Sequence, residues 1–391
     1  MRVRCFPSDF GGCGYTRLRW PAQHLRSQGC DVAVRAELPA IWQRGPLGIR
    51  CIGVEKVDFD VAVFQRVFRH DLVVVMDALK KQGVAIVVDV DDDFLALTPK
   101  HPVWHDIHPK TTASGKSWVT LREACRLADL VTVSTDALAH RYGQRAVVVR
   151  NGIPQAYLGM ERTGTHVPPL LGWSGFANMH PGDLEVVSDS VASLCNSGHA
   201  RFRAIGGRDT ASRLGLKAAE HQSPVRLATF DYARAMAELD IGIAPLADTA
   251  FNRAKSWLKP LEYAALGVPW VGSASVEYAR LQAEGAGSLA SRPREWMREL
   301  RRLLESADLR LSEAARGRQV AAAHTIEQTM APQLWQAWSL AYRLRASSSS
   351  ASGSGISKPW SSADQSQRRR MSQATPSTSA ARVRNQSRTI I

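Results

Sequence analysis

Short apolar runs alternate with longer amphipathic stretches along nearly the whole chain. Arg2–Phe6, Asp31–Ala36, Asp60–Gln65 and Val84–Val90 read as strands, and Val84–Val90 has the apolar content of a parallel strand covered on both faces. Between them, 16–28 and 72–82 carry helical spacing, with Leu18 and Leu25 on one face of the first. Arg122–Asp129 predicts a helix, Leu130–Ser134 a strand, Thr135–Tyr142 a helix and Val147–Val149 a strand. Gly159, Gly164 and the Pro168-Pro169 pair then mark a linker over 159–169. A second alternating set follows: strands over 170–173, 202–205, 225–230, 241–246 and 268–273, with helices over 183–194 and 232–239. The late chain reads as three helices, 293–306, 309–324 and 326–344. Alternation of this kind predicts an α/β protein of two domains, 1–158 and 170–325.

The stretch 239–273 carries the most chemistry. A buried strand ends at Pro245, a polar loop runs from Ala247 to Lys255, and a helix follows with Ser256 as a candidate cap. Pro260 cannot donate an N–H, so the helix begins near Trp257, and Gly267 with Pro269 stops it. Lys255 and Lys259 then gather at the positive end of the helix dipole, with Glu262 one turn deeper. Two ammonium groups, free N–H groups and the dipole suit a diphosphate, and an acid behind them suits a sugar or ribose diol. The plainer alternative is a solvated Lys259–Glu262 pair.

The pattern N-x-x-K-S-x-x-K-x-L-E-Y-A-A-L-G-x-P, Asn252 to Pro269, resembles the nucleotide-binding element of GT-B glycosyltransferases, in a divergent branch of the family-4-like group. The run A-D-L-V-T-V-S-T from Ala128, closing on N-G-I-P at Asn151, resembles the end of a first GT-B domain. G-W-S-G at Gly172 and H-P-G-D-L at His180 resemble the opening of a second. The resemblance covers residues 1–345 and implies two Rossmann-like domains facing a cleft, with 326–345 crossing back to the first. It implies donor contacts from Gly175, Asn252, Ser256 and Glu262, the last as ribose ligand. The Arg and Lys that the family places after the second domain's opening to grip the diphosphate are absent before Arg201, so that role is assigned here to Arg208, Lys255 and Lys259. A first Glu, eight positions before the second in the family, is replaced here by Ala254. The glycine turn 11–15 resembles a loop near the acceptor, which would set Gly12, Tyr15 and Arg17 toward the cleft.

Asp89, Asp91, Asp92 and Asp93 stand at the carboxyl end of a central strand, where open α/β sheets bind ligands. Three readings are open: a divalent-metal site, caps paired with nearby arginines, or acceptor recognition with Asp91 or Asp92 accepting from a hydroxyl nucleophile. His101, His105 and His108 with Trp104 read as a substrate loop, with His105 an acceptor-side candidate.

Composition alters this picture little. With 391 residues, 45% apolar and 22% charged, the chain is long enough for two cores. Six scattered cysteines without C-x-x-C spacing argue against a zinc site or disulfide scaffold and for a reducing compartment. No apolar run approaches the roughly 20 residues that span a bilayer, and no signal-peptide core follows Met1, so a cytoplasmic location is expected. Of the net charge of +14, the Ser- and Arg-rich tail 346–391 holds seven bases against Asp364, or +6. That tail is expected to be disordered and available for nucleic-acid contact, though solvated spacers are commoner. The expected activity is transfer of a sugar from a nucleotide-diphosphate donor to an acceptor hydroxyl. Asp91, Asp92 and Lys259 serve as catalytic groups, with no metal and no cofactor, and the resemblance implies retention. An epimerase on the same scaffold, or a non-catalytic sugar-nucleotide-binding protein, are the alternatives.

Overall fold

The computed structural model describes residues 1–353 apart from 10, 46–47, 109–114, 207–208 and 223–228. Its first sheet is built from β1 (Arg2–Phe6), β2 (Asp31–Val34), β5 (Val61–Gln65), β6 (Ala85–Val90), β7 (Leu130–Val133) and β8 (Ala146–Val148). They pair in parallel in the order β2-β1-β5-β6-β7-β8. Every residue of β5 and β6 is buried, as expected for central strands covered by helices on both faces. Between β2 and β5 the chain makes an antiparallel hairpin, β3 (Ala40–Gly45) with β4 (Gly48–Val54).

The second sheet has β9 (Leu170–Gly175), β10 (Arg201–Gly206), β11 (Glu220–Gln222), β12 (Ile241–Ala244), β13 (Trp270–Ser273) and β14 (Ser288–Ala290). It is also parallel, in the order β11-β10-β9-β12-β13-β14. This is the doubly wound order of dinucleotide-binding folds. The final helix, Ala331–Gly353, does not extend the second lobe. Leu334, Ala337 and Trp338 pack with Val3, Leu18 and Val87 of the first lobe. The chain returns beside its outward crossing, where Ile153 bridges Thr325.

Several expectations shift. The helix expected over Arg122–Asp129 begins at Gly115. The expected 183–194 helix is a short turn, Leu184–Val186, followed by a helix over Ser188–Asn196. Of the strand expected over 225–230, residues 225–228 lie outside the described residues, and Thr229 already opens a helix running to Ala237. The last helix passes the expected boundary at 345 and reaches Gly353, and the rest of the tail lies outside the described residues. No helix among the described residues is long and apolar enough to cross a membrane.

Candidate functional site

Strand order reverses between β1 and β5 in the first sheet and between β9 and β12 in the second. Loops leaving the carboxyl ends of such strands diverge there and open a crevice. On the first lobe those loops bring Asp9, Gly11–Gly14, Arg66 and Asp91–Asp93, and on the second they bring Ser174–Gly175 and 246–259.

The acids of the first lobe are mostly committed to arginines. Arg17 was expected to face the cleft, but it lies inside the lobe at 1% exposure. Its guanidinium takes Asp89 in a two-pronged pair at 3.1 and 2.7 Å and donates to the Val149 carbonyl and Asn151 Oδ1. Thr132 also donates to Asp89, so the carboxylate is buried and satisfied. A buried charge without such partners costs several kcal/mol, which explains why the first long basic residue after the glycine turn folds inward. Arg66, in left-handed backbone geometry at φ 49°, grips Asp91 through Nε and Nη2. Burial would raise the Asp91 carboxyl, but Arg66 pulls it down to about 2. Arg141 holds Asp93 at 2.9 Å. Asp92 is the exception: it meets Arg66 at 3.4 Å and reaches Lys255 of the other lobe at 2.8 Å. Pairing with arginines thus accounts for three of the four acids. Among the described residues no group of three His, Cys, Asp or Glu side chains has metal-holding geometry.

The second lobe offers the opposite arrangement. The helix begins at Leu258, one residue later than expected, and no side chain caps it. Ser256, the expected cap, accepts from Asn151 Nδ2 at 2.9 Å instead. Lys259 Nζ donates to the Ser174 carbonyl at 2.7 Å and lies 4.3 Å from the centre of the Trp173 ring, a cation–π placement. Gly175 has φ 142°, where a side chain is strained, and a Cβ there would stand 3.4 Å from Lys259 Nζ. Burial lowers Lys259 to about 8. Glu262, three residues on, is raised by burial to about 8, with only Lys259 opposing. Tyr157, Tyr232 and Tyr263 all lie close enough to Glu262 to feel its charge. Lys255 differs from Lys259: burial works against its charge, but Asp92 holds it above its ordinary range.

His180 was not singled out from the sequence. Its Nδ1 lies 3.0 Å from Asp183 and its ring packs edge-on to Trp173. Burial pushes it down to about 4, and Lys259 and Lys255 reinforce the shift, so it is neutral at pH 7. Asp183 also receives Asn252 Nδ2 at 2.6 Å, and the second amide hydrogen of Asn252 goes to the Ala247 carbonyl at 3.0 Å. Asn252 therefore ties the loop together. Arg66 was likewise missed, because it lies 25 residues from Asp91 and nothing in the pattern links the two.

Of the remaining candidates, Gly12 is exposed in the glycine turn. Tyr15 packs at a tilt against Trp20, which meets Tyr157 beside Glu262. His105 is exposed against Trp104, whereas His101 is the loop histidine that packs on Phe251, under Lys255. Arg208 lies outside the described residues. Ala254 is 4% exposed and joins the first lobe's core beside Phe251, and its carbonyl accepts from Thr135 at 3.1 Å. The position that holds the first Glu in the resembling family is used here to dock one lobe on the other. A separate cavity of about 510 Å³ lies at the hinge, lined by Arg150, Trp257, Arg280, Glu284 and His324 among others.

Two facing parallel sheets with their crevices opposed are the architecture of the GT-B glycosyltransferases, and comparison with known proteins agrees. Residues 189–334 match the protein family described as glycosyl transferase-like. No curated protein sequence matches the chain. Among solved structures, sucrose-phosphate synthase from Thermosynechococcus elongatus superposes with a TM-score of 0.57 at 13% identity, over 89% of this chain and 100% of that one. Anabaena HepE in complex with UDP gives 0.56 at 15%, over 86% and 100%. HepE with UDP and glucose gives 0.52 at 15%, over 85% and 99%. The chain has the GT-B fold, and residues 189–334 within it resemble the glycosyl transferase-like family.

Proposed function

We propose that this protein moves a sugar from a nucleoside-diphosphate donor to an acceptor hydroxyl, with retention of configuration and without a metal ion. The observation that carries the reading is the pair Lys255 and Lys259. Both are partly buried, Lys259 feels the charge of Lys255, and Lys255 faces Asp92 across the lobes. Such preorganised charge is what a departing diphosphate requires. The solved neighbour HepE, which holds UDP and glucose, supports a nucleoside-diphosphate sugar as donor.

In this reading the diphosphate replaces Asp92 on Lys255 and takes Lys259 from the Ser174 carbonyl. Glu262, protonated at pH 7, donates a hydrogen bond to a diol of the donor. The bond from the anomeric carbon to the diphosphate oxygen breaks as the acceptor oxygen attacks from the same face. The acceptor proton passes to the departing phosphate oxygen, and Asp92, freed from Lys255, orients the acceptor hydroxyl by accepting its hydrogen bond. Asp91 and Arg17 hold the frame of the acceptor lobe and leave the chemistry to Asp92.

Thermal-shift measurements against a panel of sugar nucleotides test this directly. Lys255→Ala with Lys259→Ala should abolish the donor-induced shift, while moving the unliganded melting temperature by only about 2 °C. A donor shift retained in the double variant overturns the assignment.

A further inference from the structure

Four of the eleven large apolar side chains that stand exposed among the described residues fall within twelve positions of one another, on the β3–β4 hairpin. They are Ile41 (43% exposed), Trp42 (43%), Ile49 (63%) and Ile52 (53%). The hairpin is rooted, since Ala40, Cys51 and Val54 pack on the first lobe's core. Its outer part is bare. Register places Trp42 with Cys51 and Arg44 with Ile49 on one face, and Gln43 with Arg50 on the other. An irregularity beside Ile41 leaves Ile52 as the extra residue on β4. Apolar groups therefore emerge in more than one direction from a two-stranded ribbon whose β4 strand packs on the helix over His70–Lys81 but whose Ile41, Trp42, Ile49 and Ile52 the described residues leave exposed.

Charge narrows the choice of occupant. From Leu38 to Val54 the sequence holds Arg44 and Arg50 and no acidic residue. Both arginines are exposed, and among the described residues neither pairs with a carboxylate. A protein partner covers one face of a ribbon, whereas the boundary between lipid headgroups and chains surrounds it. Indole, aliphatic and guanidinium groups are the side chains that settle at an anionic interface.

We propose that the β3–β4 hairpin docks the first lobe on an anionic lipid surface, with Trp42, Ile41, Ile49 and Ile52 entering the headgroup layer and Arg44 and Arg50 meeting lipid phosphates. This inference stands apart from the transferase reading. The chain remains monotopic, held at the interface without a span.

Sedimentation of the full-length protein with vesicles tests it, using phosphatidylcholine alone or mixed one-to-one with phosphatidylglycerol. The wild type should bind the mixed vesicles far better than the neutral ones. Trp42→Ser with Ile49→Ser should weaken binding to mixed vesicles about tenfold or more. Arg44→Gln with Arg50→Gln should weaken it about twentyfold while leaving the melting temperature unchanged, so that a folding defect is recognised. Wild-type binding that is absent, equal on both vesicles or untouched by either double variant overturns the proposal. The last result would place any vesicle binding in the basic tail. A light-scattering dimer that dissociates in the Trp42 and Ile49 variant, with vesicle binding intact, also overturns it and assigns the hairpin to a protein interface.

Discussion

Asp89, fully buried in β6, and Glu262, partly buried one turn into its helix, are partnered in opposite ways. Asp89 has a two-pronged arginine and a threonine hydroxyl. Among the described residues no side chain hydrogen-bonds to Glu262, which keeps its proton up to about 8. The same contrast separates Arg17, fully paired, from Lys259, whose Nζ meets only a carbonyl and an indole face. A saturated pair stabilises a scaffold, whereas an unsaturated group retains its capacity for a ligand. The first lobe is held by the first kind of charge and the second lobe is equipped with the second, and Asp92–Lys255 is where the two meet.

The comparison can be broken at several points. Asp89→Asn strands a buried guanidinium and should cost about 3–5 kcal/mol, read as a fall in denaturant midpoint with donor affinity per folded molecule unchanged. Ala254→Glu puts the family's carboxylate back where two lobes now pack, and should destabilise by about 2–4 kcal/mol without improving donor binding. A gain in affinity there would show that the position still belongs to the ligand site. Glu262→Gln sharpens the contrast through pH. A carboxyl whose folded value is raised loses stability as pH rises from its unfolded value near 4.5 to about 8. The variant lacks that loss, so its melting temperature should exceed that of the wild type by about 3–5 °C at pH 9, with a smaller difference at pH 5. Donor binding by the wild type should weaken as pH rises through about 8, where Lys259 discharges, and isothermal titration across pH 6.5–9.5 checks this. Asp92→Asn should be the mildest in stability, within about 1 kcal/mol. It should tighten donor binding by freeing Lys255 while slowing transfer.

How much of this was legible beforehand follows from how local each signal is. Most strands of both sheets were readable because they are short apolar runs, as in β6, where every residue is buried. But β11 (Glu220–Gln222) and β14 (Ser288–Ala290) carry no such run and were not expected. The β3–β4 hairpin was not, because its residues obey neither a one-sided alternation nor a buried run when water reaches both faces. Lys255, Lys259 and Glu262 could be found within one loop and one helical turn. The inward turn of Arg17 could not, since its partner Asp89 lies 72 residues away. His180 offered only a position in a loop, and its neutrality arises from Trp173 and two lysines that meet it in the fold. Ser256 read as a cap on local chemistry, but the hinge residue Asn151 claimed its hydroxyl.

The C-terminal helix carries a practical consequence. Because Leu334, Ala337 and Trp338 complete the core around Val3, Leu18 and Val87, the first lobe is stitched from an early and a late segment of the polypeptide. A fragment stopped at 158 would present that apolar seam to water and aggregate. Supplied in trans with a peptide spanning 326–347, it should recover by complementation, and the second lobe could then be swapped as a cassette between two fixed seams.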